Sequence, residues 1–134
     1  MIQKIVAIII LLSVSLLADI KFAQNYEEAI VQAQKENKLL VLTVVSTNCP
    51  WCHKLLKETL KDKRVEAIVN KNFIYVVVNK DITNIPNGLS AKLVPATFFL
   101  DKNGRKVAQS AIGYWEADDF ISYLNDALKK DKRL

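Results

Sequence analysis

The distribution of apolar and polar positions divides the chain into a short leader and a series of alternating elements. Ile5 to Leu17 is apolar apart from Ser13 and Ser15, and one charge, Lys4, precedes it. That run of 13 residues falls short of the roughly twenty that cross a bilayer as a helix. Leu16 and Ala18 stand three and one positions before a cut at Asp19. The order predicts an export signal over residues 1–18, cleaved after Ala18, followed by one domain over residues 19–134. The position immediately after the cut is Asp19 and not cysteine, so lipoprotein processing is not indicated.

Beyond the leader, Asn25 with Glu28 three positions on reads as a helix start, and Ala29, Ile30 and Ala33 share one helical face, predicting a helix over 25–37. Leu39 to Val45 is continuously apolar and rich in β-branched residues, the pattern of a strand covered on both faces. From Pro50, Leu55, Leu56 and Leu60 recur at helical spacing; a break near Asp62 precedes a second helical segment carrying Val65, Ile68 and Val69. Phe73 to Val78 repeats the buried-strand pattern. Residues 80–93 are polar, contain Pro86-Asn87-Gly88, and predict a loop with one short helix. Two antiparallel strands, Pro95 to Leu100 and Lys106 to Ala111, are expected around the Asn103-Gly104 turn. Glu116 to Lys130 carries Phe120, Leu124 and Leu128 in steps of four, with acids early and lysines late as the helix dipole favours. The expected architecture is α/β: a mixed central sheet of four to five strands with helices on both faces.

Composition narrows the function classes. A chain of 134 residues, 51% hydrophobic and 25% charged, fits one globular domain and excludes wholesale disorder and a polytopic membrane protein. With only 3 glycines there is no glycine-rich loop to cradle a phosphate. The net charge of +5 is carried by lysines dispersed among acids, without the clustered patch that a nucleic-acid partner requires. Removing residues 1–18 takes away one lysine, no acid and the chain's 1 methionine.

The chemistry concentrates in Cys49-Pro50-Trp51-Cys52-His53, at the junction of a buried strand and a helix start. If Cys49 caps the helix and Cys52 lies one turn in, the sulfurs can reach bonding distance. The helix N-terminus then favours a thiolate on Cys49, the attacking sulfur, and leaves Cys52 as the resolving thiol. Pro50 suits the first helical position, whose N–H has no partner to lose. Other uses of these residues stay open. CxxCH is also the attachment motif for c-type haem, with His53 as axial ligand, although no methionine or second histidine follows the leader to supply the opposite one. Zinc could take Cys49, Cys52 and His53, but no second ligand pair is present. A purely structural disulfide would close too short a loop to restrict the unfolded chain much.

The strand Leu39 to Val45, the Cys49-Pro50-Trp51-Cys52 motif and Val94-Pro95-Ala96-Thr97-Phe98-Phe99 together resemble the thioredoxin superfamily over nearly the whole segment after the leader. The nearer likeness is to its small exported members, through Glu58, Asp62, Val65 and Asn72-Phe73. The resemblance implies a thioredoxin-like fold and a cis bond before Pro95, which faces the cysteine pair while Val94 offers its backbone to an extended substrate. It implies Cys49 and Cys52 as a redox-active disulfide, and Pro50, Trp51, Val94 and Pro95 as substrate contacts. Trp51 should then be exposed, with Tyr114 and Trp115 used in packing. Many family members carry a buried acid six residues before the first cysteine; here that position is Thr43, leaving His53 and Glu58 as candidate modulators of thiol pKa. The expected function is periplasmic thiol–disulfide exchange with protein substrates and a redox partner protein, by a monomer without cofactor, nucleic acid or lasting membrane contact. A non-catalytic binding module on the same fold is the alternative.

Overall fold

The computed structural model describes residues 18–131, so the leader expected over 1–18 lies, apart from Ala18, outside the described residues. The elements are α1 (Tyr26–Glu36), β1 (Leu39–Val45), α2 (Pro50–Lys57), a 3-10 turn (Thr59–Lys61), α3 (Lys63–Asn72), β2 (Phe73–Asn79), β3 (Ala96–Leu100), β4 (Ala111–Ile112) and α4 (Ala117–Lys130). Asn25 caps α1 through its side chain, which accepts from Glu28 N, and Asn37 closes that helix in the left-handed region at φ 52°. Asp62 caps α3, and its carboxylate also holds Arg64, which reaches on to Asp118 at the start of α4.

The sheet has four strands in the order β2-β1-β3-β4. β1 runs parallel to β2, from Leu39 opposite Phe73 to Val45 opposite Asn79, and antiparallel to β3, from Leu40 opposite Leu100 to Val44 opposite Ala96. Every residue of β1 is buried, which explains its unbroken apolar pattern. Leu40, Leu42 and Val44 pack with Ala29 and Ala33 of α1 on one face. Leu39 and Val41 pack on the other with Leu55 of α2, Val65 and Val69 of α3, and Phe120 and Leu124 of α4. The expected mixed sheet with helices on both faces is what the chain builds. β2 would be an open edge, but Ala23 forms a parallel bridge to Val76, its N–H donating to the Tyr75 carbonyl at 2.9 Å.

Two local expectations are corrected. The return strand expected over Lys106 to Ala111 is only a bridge from Lys106 to Leu100 and the two-residue β4. Leu100 faces Lys106 while Thr97 faces Ala111, so three steps on β3 meet five on the returning chain and two surplus residues bulge out. Residues 80–93 hold turns instead of a helix. Asn79 folds the chain back at Asp81 to Thr83 through its side chain and carbonyl, and Pro86 to Leu89 closes a second turn around Gly88 at φ 85°.

Candidate active site

The strand-to-helix junction after β1 is pinned before the chemistry begins. Lys80 N donates to the Val45 carbonyl at 3.0 Å, and Thr47 N to the Asp81 carboxylate at 2.8 Å. The Thr47 N–H holds the Asp81 carboxyl below its usual range. The loop therefore delivers Cys49 to a fixed place at the start of α2.

Cys49 is the N-cap of α2, with extended backbone, and its sulfur accepts from Cys52 N at 3.1 Å. Pro50 takes the first position of the helix. Cys49 and Cys52 are bonded to each other, their Cα atoms 5.2 Å apart. They pack as a small cluster with Val45, flanked by Val77 and Val94. Cys49 retains 7% of its surface and Cys52 only 2%. On the outer side, Val94 O lies 3.9 Å from Cys49 Sγ, and the Val94–Pro95 peptide bond is cis. Pro95 O accepts from Gly113 N at 2.8 Å, tying the start of β3 to the end of β4 beside the disulfide.

The profile of the thioredoxin-like domain family matches residues 26–128, taking in every element from α1 to most of α4. The chain belongs to the thioredoxin-like domain family. Among solved structures it is similar to a thioredoxin from Thermus thermophilus, at TM-score 0.70 and 19% identity, covering 86% of this chain and 92% of that one. It is also similar to the periplasmic thioredoxin SoxS from Paracoccus pantotrophus in its reduced form, at TM-score 0.58 and 12% identity over 71% of this chain and 100% of that one. A curated relative, Spermatogenesis-associated protein 20 of Mus musculus, is 36% identical over 55 residues, 41% of this chain. The matched stretch is 7% of that protein's own length.

In this thioredoxin-like domain the sulfurs are bonded to each other, whereas haem thioethers or zinc would each use them separately. Among the described residues no three His, Cys, Asp or Glu side chains gather into a metal-holding group. Trp51 is exposed and Pro50 exposed beside it, while Val94 is half-buried and Pro95 buried below them. His53 stands on the exposed face of α2, and only its backbone N–H is engaged with Cys49, donating to the carbonyl at 3.1 Å. Glu58, at the far end of α2, accepts from the Tyr114 hydroxyl at 3.2 Å.

Tyr114 itself was expected in packing only. It does touch the core on the α4 side, yet its ring also meets that of Trp51, with centroids 5.6 Å apart, and it shares a surface recess with Trp51, Val94, Pro95 and Gly113. The register of the hairpin is the signal that could have found it, since pairing Ala96 with Ile112 sets Gly113 and Tyr114 against Pro95. Trp115 does pack, against Tyr123, with its indole N–H donating to Ile112 O at 3.0 Å.

Thr43, six residues before Cys49, is fully buried on the side of β1 that faces α2. Its hydroxyl lies 2.5 Å from Tyr75 Oη and 2.9 Å from Thr97 Oγ1. Burial pushes the Tyr75 phenol far above its usual range, so the network stays neutral.

Proposed function

We propose that the chain is an exported thiol–disulfide oxidoreductase in which Cys49 exchanges with protein partners and Cys52 resolves the adduct. The observation that supports this reading is a disulfide closed across the first turn of a helix, its outer sulfur held as the N-cap and accepting a backbone N–H. That N–H and the helix terminus favour the thiolate of Cys49 over its thiol, which makes it both a good leaving group and a ready nucleophile near neutral pH. No metal or organic cofactor enters the exchange.

Starting from the disulfide, a partner thiolate attacks Cys49 Sγ, forming a mixed disulfide and expelling the Cys52 thiolate, which takes up a proton. A second partner thiolate then attacks the partner's own sulfur in that mixed disulfide and releases the Cys49 thiolate. The partner dithiol has become a disulfide, and the protein has gained two electrons and one proton, with Cys49 left as thiolate and Cys52 as thiol. The reverse sequence reduces a partner disulfide. The neutral hydroxyls around Thr43 offer no carboxylate to receive the Cys52 proton, so that proton leaves through the exposed side of the site. His53 and Glu58 act on thiol pKa only through their distance-dependent fields.

Val94 and Pro95 carry the backbone contact to the substrate, and Pro50 and Trp51 the side-chain contact. The leader over 1–18 sends the domain to the periplasm, where it works as a monomer with protein thiols, protein disulfides and a redox partner protein.

Glutathione titration of the pair checks the activity directly. Cys52→Ser should accumulate mixed disulfides visible on a non-reducing gel. Cys49→Ser should lower exchange by at least about a thousandfold, as removal of a nucleophile does. Full exchange by Cys49→Ser would overturn the mechanism. Amino-terminal sequencing of the exported protein checks the cut, with Asp19 expected first.

A further inference from the structure

Outside the disulfide the surface is apolar and then abruptly charged. Trp51, Val94, Pro95, Gly113 and Tyr114 line a recess of about 350 Å³. Trp51 is 57% exposed there. Its ring is nevertheless held, because Tyr114 lies against it and Lys54 Nζ stands 5.3 Å from the Trp51 centroid and 4.8 Å from that of Tyr114. Such contacts fix an ammonium over aromatic faces without cancelling its charge.

Glu58 is spaced four residues after Lys54, as an intrahelical ion pair would require. It accepts from the Tyr114 hydroxyl instead, and Lys54 enters no ion pair among the described residues. α2 has no acid in its first turn and carries basic residues at Lys54 and Lys57. Beyond Tyr114, Glu58, Asp62, Glu116 and Asp118 line a separate hollow. Arg64 bridges Asp62 and Asp118 there, and Tyr114 occupies Glu58. Over the faces of the two rings the charge is thus the Lys54 ammonium, while the Glu58 carboxylate keeps its charge at the Tyr114 hydroxyl on the far edge.

We propose that this cradle selects the substrate: the segment carrying the partner cysteine places an apolar side chain in the recess between Trp51 and Tyr114, and a carboxylate against Lys54. The assignment rests on the exchange reaction above and adds its substrate class, a cysteine flanked by apolar and acidic residues. Tyr114 and Lys54 are specificity-determining residues in this arrangement. The recess supplies non-directional burial, and the ammonium, already held in place, supplies the sign discrimination.

Four short cysteine peptides test it, bearing Leu or Ser on one side of the cysteine and Glu or Lys on the other. Their rates of reducing the oxidised protein are followed by tryptophan fluorescence and divided by their rates with bis(hydroxyethyl) disulfide, which removes differences in thiol pKa. The Leu/Glu peptide should be fastest, exceeding the Leu/Lys peptide about fivefold at low ionic strength, as two exposed charge contacts of opposite sign allow. The preference should shrink at 0.5 M salt. Lys54→Glu, on an exposed helix face, should invert the Glu/Lys ratio. Equal normalised rates for the four peptides, or a ratio unmoved by Lys54→Glu, would overturn the cradle. Dithiothreitol separates the two levels. If it fails to open the disulfide the exchange reading falls, whereas if it succeeds while the four peptides react alike only the cradle does.

Discussion

Cys49 and Cys52 share one bond but belong to different parts of the molecule. Cys49 stands at the mouth of the helix, where Val94 O, Trp51 and the recess beside Tyr114 make an open apolar rim. Cys52 is turned inward onto Val45, next along the same sheet face as the buried hydroxyls of Thr43, Tyr75 and Thr97. One turn of helix separates a sulfur that partners can approach from one that they cannot. The contrast teaches how a three-residue loop assigns two identical side chains different tasks: the backbone of α2 supplies the asymmetry, and the sheet below seals one side of it.

Substitutions on the two sides should differ accordingly. Thr43→Val removes a hydroxyl that serves two buried partners and should lower unfolding free energy by about 1–3 kcal/mol, read by urea denaturation. Trp51→Ala, on the open side, should cost only about 0.5–1 kcal/mol in the same measurement, the value of one exposed aromatic pair. Equal costs would mean that the rim is as much a part of the core as the floor. Glu66 of α3 offers a contrasting buried polar group. It is 2% exposed, and among the described residues its Oε2 finds no hydrogen-bond partner while Oε1 meets Lys63 Nζ at 3.3 Å. Unlike the hydroxyl network it is half-answered, so Glu66→Met should leave stability unchanged or raise it by about 1 kcal/mol. The smallest effect is expected at Asp81 on the open side. Because its folded pKa is depressed, its tether to Thr47 contributes fully above the ordinary aspartate value of about 3.9 and fades as pH falls through the lower folded value. Melting curves of wild type and Asp81→Ala should therefore differ slightly near neutral pH and converge in strong acid.

Most of the sealed side was legible in the sequence. Seven consecutive apolar or β-branched residues in β1 announce a strand covered on both faces, and Pro50 after Cys49 marks the start of α2. The position of Thr43 was legible too, but its partners were not, because Tyr75 and Thr97 reach it only through strand pairing. The open rim was harder to read. Tyr114 follows a glycine and precedes a tryptophan that packs, so its neighbours in sequence say core, while its contact with Trp51 arises from a hairpin whose register a two-residue bulge has shifted. The turns of residues 80–93 escaped for a similar reason. The first is set by Asn79, at the end of β2, and the second by the Leu89 N–H donating to Pro86 O around Gly88, not by any periodicity of their own.

The bridge from Ala23 to Val76 bears on what happens to this protein at high concentration. β2 holds Ile74-Tyr75-Val76-Val77-Val78, a stretch whose free edge could template pairing with another chain. Ala23 occupies the middle of that edge, and the Phe22 ring, 5.3 Å from that of Tyr75 and nearly perpendicular to it, leans over it. The few residues between the expected cut and α1 thus act as a guard strand. A protein trimmed to begin at Gln24 would keep its disulfide and its recess yet carry an adhesive edge, and its solubility would fall before its chemistry did.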